Sequence, residues 1–223
     1  MLSIFRLGLC YTVCMFSGLD GFGILVFLAS LIISLAIHEA MHAYVAHSLG
    51  DHTAHDEGRL TLNPLKHIDI MTSVLLPFML LLLHLPPIFI AKPVPFNPMN
   101  LRHGELGVAM VGIAGPFTNL ALAILASIIM HVGGVATGTQ VYQALSLFLM
   151  INVSFFVFNM IPFPPLDGSR LLYAFAPDPV RRVMESIEAM GFSGLILLFM
   201  AIVLFGGSII ANITTSISVF LLR

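Results

Sequence analysis

The 223-residue chain is 58% hydrophobic and only 9% charged, with a formal net charge of -2 and a mean hydropathy of +1.02. Soluble domains carry about 25% charged residues, so this composition excludes a water-soluble globular protein, and with no basic stretch it excludes a nucleic-acid partner. Cys10 and Cys14 are too few for a disulfide framework or a cysteine zinc site, and read as small packing residues.

In chain order, residues 2–16 form a short first membrane segment or an interfacial helix; Arg6 is a lone positive charge, and Ser17 to Asp20 make a poor signal-peptide cleavage site. A spanning helix needs about 20 mostly apolar residues, and residues 22–49, 106–132, 141–161 and 194–222 qualify. Residues 72–90 have an apolar core broken by Pro77, Pro86 and Pro87. Polarity is concentrated between Gly50 and Asp69. Near the end, Val180, Val183, Met184 and Ile187 share one face, so residues 178–190 read as an interfacial amphipathic helix. Asp178 is its expected N-cap, with Pro179 at the first helical position. The chain is expected to be a single domain over residues 1–223, an all-α polytopic membrane protein with about five to six spanning helices.

The chemistry is concentrated in His38-Glu39-Ala40-Met41-His42, late in the first long span. At about 100° per residue, positions i and i+4 differ by only about 40°, so both imidazoles can reach one metal ion. Glu39 lies beside the first of them, and an ionisable group inside a membrane span is costly and marks function. Catalytic zinc takes three protein ligands and leaves a position for water. Candidates for the third are Asp167, His47, His52, His55 and Asp56. His47 lies about 180° around the helix from His38, and His52, His55 and Asp56 belong to a polar loop. Asp167 is favoured: it follows Pro162, Pro164, Pro165 and Leu166, flanked by apolar residues at the end of a span.

That choice constrains topology. For Asp167 to meet His38 and His42, the spans at 22–49 and 141–161 must point the same way. Residues 72–90 must then enter and leave on one membrane face, as a re-entrant hairpin or peripheral segment. The proline-rich stretch 92–98 is expected as an edge or re-entrant strand, able to pair with an extended peptide.

The motif late in a span, followed far downstream by Asn159-Met160-Ile161-Pro162-Phe163-Pro164-Pro165-Leu166-Asp167-Gly168, resembles the site-2 protease family of intramembrane zinc metalloproteases. Gly58 to Pro64, Ala91 to Asn97 and Ala114 to Asn119 agree, and the resemblance covers roughly residues 22 to 175. It is closest to compact members without an appended PDZ or CBS domain. His67-Ile68-Asp69-Ile70-Met71-Thr72 departs from the H-I-D-P-x-G-T pattern of such members, which alters the turn entering the hairpin.

The resemblance implies one zinc ion per chain held by His38, His42 and Asp167, with Glu39 as general base; the residues read alone give the same roles. It also makes Asn159, and less directly Asn119, candidates for holding substrate backbone. The expected activity is hydrolysis of transmembrane or signal-peptide-like substrates near one membrane face. The expected setting is a prokaryotic inner membrane with the site toward the cytoplasm, where the loop lysines and arginines satisfy the positive-inside rule. A metal-ion transporter would need ionisable residues strung through several spans, and only His84 and His131 are scattered. A protease-like binding protein without activity would not need the intact set of four.

Overall fold

A computed structural model of the chain describes residues 20–67, 69, 92–191, 193–194, 198 and 206–223. The expected first segment at residues 2–16 and the hairpin at 72–90 lie outside the described residues. Every regular element among the described residues is helical, with no strand. The stretch 92–97 is irregular, followed by a single 3-10 turn at Pro98–Asn100. The edge strand expected there is therefore not formed.

Helix α1 spans Gly21–Ser48, and the Asp20 carboxylate caps it by accepting from the Gly23 amide at 2.8 Å. Its far end closes in a Schellman motif: the Asp51 amide donates to the Ala46 carbonyl and the Gly50 amide to that of His47, both at 3.0 Å. Gly50, at φ 104°, supplies the left-handed turn this closure requires. The chain then makes one short helix, α2 (Thr53–Asp56), and a 3-10 turn at Pro64–Lys66.

The next described helices are α3 (Glu105–Val132) and α4 (Gln140–Asn159). Among the described residues α1, α3 and α4 are the helices long and apolar enough to cross a membrane. Their outer faces carry large apolar side chains such as Leu25, Ile33 and Leu125, as a lipid-facing surface requires. Inner faces are lined by small residues, which let backbones approach where lipid provides no hydrophobic drive for helix association. Ala123, Ala126, Leu149, Val153 and Val157 fill the α3–α4 seam, while Phe27, Leu31 and Ile151 fill that between α1 and α4.

Helix α4 ends at Asn159, two residues short of the expected bound at 161, and Pro162, Pro164 and Pro165 then turn the chain before Asp167. A further helix, α5 (Gly168–Phe175), begins directly after Asp167 and was not foreseen. Helix α6 (Asp178–Ala189) matches the amphipathic helix, with one difference at its start. Pro177 holds the cap position and Asp178 is already helical, with no side-chain capping bond. Of the expected last span, the described helix is α7 (Gly207–Leu222), packed on α4.

The amide of Arg102 donates to the Leu49 carbonyl at 2.8 Å. The chain thus leaves α1 and enters α3 at the same end of the bundle. Arg181 on α6 reaches Glu105 at the start of α3, and so joins that end as well.

Candidate metal centre

The Schellman turn ends α1 six residues past His42, which sets the two histidines about 9 to 15 Å inside the helix end. Their Nε2 atoms lie 3.1 Å apart. Asp167 Oδ2 is 3.0 Å from His38 Nε2 and 3.4 Å from His42 Nε2. All three donor atoms fall within 4.8 Å of one another, and no other group of three such residues does so among the described residues.

Each imidazole is fixed through its other nitrogen. His42 Nδ1–H donates to the Val111 carbonyl of α3 at 2.7 Å, which leaves Nε2 with its lone pair. His38 Nδ1 meets Asn119 Oδ1, also on α3, at 2.5 Å. Gly115 of α3 faces both rings, and a Cβ there would fall on both Nε2 atoms. The residue must be glycine for the ligands to converge on open space.

Asp167 is held from two sides. Gly168 packs its Cα against the Met160 and Ile161 carbonyls, where no side chain fits. Beyond it, Arg170 on α5 grips Glu188 of α6 through both terminal nitrogens, and the Tyr173 hydroxyl donates to the same carboxylate at 3.1 Å. Gly112 of α3 leaves room for the Arg170 stem.

Glu39 is buried, and its Oε2 accepts from the Val94 amide at 3.2 Å. Val94 belongs to the irregular stretch that crosses the end of α1, which is anchored twice. Arg59 donates to the Lys92 carbonyl at 2.8 Å, and buried Asp51 accepts from the Asn97 amide at 2.9 Å and the Asn100 side chain at 3.0 Å.

The remaining expected residues separate clearly. His47, His52 and His55 gather on their own, with His47 and His52 linked Nδ1 to Nδ1 at 3.0 Å and His47 stacked on His55 at 5.5 Å. Asn119 is fully buried behind His38, and Asn159 donates to the Phe155 carbonyl of its own helix at 3.1 Å. Two polar residues of this region were not singled out from the sequence. Asn152 and Ser34 are fully buried, and Asn119 Nδ2 donates to Asn152 Oδ1 at 2.8 Å. Interhelical polar contacts contribute only about 0.6 kcal/mol each in membranes, so the main consequence of this chain is orientation. An asparagine interrupting the apolar run of α4, as Asn119 interrupts α3, was the available signal.

Two imidazole nitrogens and one carboxylate oxygen, converging beside a glycine, match the donor set of a catalytic zinc site with one position left for water. The model of the family described as Peptidase family M50 matches residues 127–204, a stretch that contains Asp167. "Putative zinc metalloprotease YwhC" of Bacillus subtilis is 38% identical over 177 residues, covering 76% of this chain and 78% of that protein. "Putative zinc metalloprotease Rip2" of Mycolicibacterium smegmatis is 28% identical over 74% of this chain and 62% of its own length. The protein of the same name from Mycobacterium tuberculosis is 28% identical over 78% of this chain and 66% of its own. No solved structure matches the chain.

Proposed function

The chain belongs to peptidase family M50, and on that premise we propose that it is an intramembrane zinc metalloendopeptidase acting on transmembrane or signal-peptide-like segments near one membrane face. The observation that carries this reading is the convergence of His38, His42 and Asp167, with Glu39 beside them, inside an apolar bundle. His38, His42 and Asp167 hold one zinc ion per chain. When bound, zinc acidifies water toward a pKa of about 7 and polarises the scissile carbonyl.

The chain's own residues supply the rest. Glu39 takes a proton from the attacking water and returns it to the leaving amine. The Val94 amide, donating to Oε2, holds that carboxylate in place. Asn159, at the end of α4, is the residue assigned to substrate backbone, while the burial of Asn119 suits it to support His38. A helical substrate has its carbonyls hydrogen-bonded within itself and must unwind before attack. Segments with helix-weakening residues near the cut are therefore the preferred class.

The full protein has about five to six spans, with residues 72–90 entering and leaving on one face. The Arg102–Leu49 hydrogen bond supports this, since it joins the two ends of the intervening chain. Arg59, Lys66, Lys92, Arg102, Arg170, Arg181 and Arg182 all lie at the metal end, which supports a cytoplasmic orientation in a prokaryotic inner membrane.

Glu39→Gln in the purified protein, assayed on a membrane-embedded test peptide, is the direct test. The expected result is loss of hydrolysis with zinc retained; continued hydrolysis by the zinc-loaded variant would reject the mechanism.

A further inference from the structure

Asn152 touches neither the three converging ligands nor Glu39, yet its contacts are aimed at one of them. Its Nδ2 donates to the Phe148 carbonyl and to Ser34 Oγ, both at 2.8 Å, and its Oδ1 accepts from Asn119 Nδ2. A backbone carbonyl can only accept, so the Phe148 contact settles which end of the Asn152 amide is nitrogen. The carbonyl end must then face Asn119. Asn119 must present its own nitrogen there and toward the Ser34 carbonyl, 3.4 Å away. What remains for His38 is Asn119 Oδ1, again only an acceptor, so the His38 proton sits on Nδ1 and the Nε2 lone pair faces Asp167. Ser34, His38, Asn119 and Asn152 are all buried, so water does not offer them an alternative set of partners.

We propose that Asn152 is a positioning residue for the metal centre: its amide, oriented by the Phe148 carbonyl, fixes the Asn119 amide and through it the tautomer in which His38 can bind zinc. The direction of the whole chain is set on α4, passes through α3 and is read out on α1. The proposal rests on the ligand set put forward above. It predicts that zinc affinity depends on a residue at the far end of two hydrogen bonds, because such outer partners commonly govern metal affinity by about 10- to 100-fold.

The test is zinc affinity of full-length protein in detergent, measured by chelator competition, with helix content as the check on folding. Asn152→Leu and Asn119→Leu should each weaken binding about 10- to 100-fold, and the double variant should bind no more weakly than Asn119→Leu alone. Asn152→Asp, which in its neutral form accepts from Asn119 and donates to Phe148, should restore affinity. Ser34→Ala removes a bond from Asn152 but leaves the Phe148 contact, so it should cost much less than Asn152→Leu. Should the leucine variant lose its helices, Asn152→Ala takes its place in the same comparison. Unchanged affinity in Asn152→Leu, additive losses in the double variant, or an equal loss in Ser34→Ala would each overturn the relay. His38→Ala separates the two levels. Zinc retained there defeats the ligand set itself; zinc lost there but kept in Asn152→Leu defeats the relay alone.

Discussion

Arg102 and Leu49 are joined by a backbone hydrogen bond of 2.8 Å, which ties the entry to α3 to the exit from α1. Gly50 packs beside the Asn100 carbonyl at the same point. The proposed metal ligands on α1 and the aspartate beyond α4 can meet only because the chain between α1 and α3 begins and ends at one face.

This topology is open to labelling. With Cys10 and Cys14 replaced by serine, single cysteines at exposed Leu65 and Met99 should react with a membrane-impermeant reagent from the same side of sealed vesicles. A cysteine at Thr137, in the α3–α4 connection, should react from the other side. Reaction of positions 65 and 99 from opposite sides would contradict the arrangement.

The ligand set predicts a sharp contrast among acidic and histidine variants. Asp167→Ala should lose bound zinc, since it removes one of three donors that lie within 4.8 Å. His47→Ala and His52→Ala should keep it, because their contacts are with each other and with His55. Zinc content by elemental analysis decides the matter, and full occupancy in Asp167→Ala would count against the third ligand.

Gly115→Ala puts a carbon well inside van der Waals contact of both Nε2 atoms, so zinc content and hydrolysis should both fall while helix content persists. Gly21→Ala is the matched control, since a Cβ there meets nothing within 4 Å. It should leave zinc unchanged and be neutral or stabilising by up to about 1 kcal/mol, as alanine is preferred to glycine in helices. Equal zinc content in the two variants would mean the close approach of α3 is not required.

Asp51 makes stability fall in acid. Burial raises its pKa, but hydrogen bonds from Thr53, Asn100 and the Asn97 amide more than offset this and leave it lowered. A lowered folded-state value means the stabilisation is fully present above the unfolded value of about 3.9 and is lost as pH falls through the folded value. The thermal midpoint of the wild type should therefore drop below about pH 4, with a smaller drop in Asp51→Asn. Parallel curves for the two proteins would remove Asp51 as the cause.

Much of the centre was legible because its geometry is local. His38 and His42 share a face by the pitch of any helix, and the spans at Gly21–Ser48 and Glu105–Val132 follow from hydropathy to within a residue of the expected bounds. Helix α5 was not legible, since its eight residues are too few to establish a period against the prolines before it. Asp51 read as one more loop aspartate. Only the return of residues 97–100 to the end of α1 surrounds it with donors.

The sequence by itself determined that the solvent is a membrane and that two imidazoles and a carboxylate are presented together on one helix. These follow from composition and from the 3.6-residue turn. Asp167 was already favoured over four other candidates by its setting, but only the tertiary structure brings it beside His38 and His42 and orients His38 through Asn119 and Asn152. Asp167 lies 129 positions from His38, and Asn119 lies 81 away. No helical period relates such residues; packing α1 against α3 and α4 brings them within hydrogen-bonding distance.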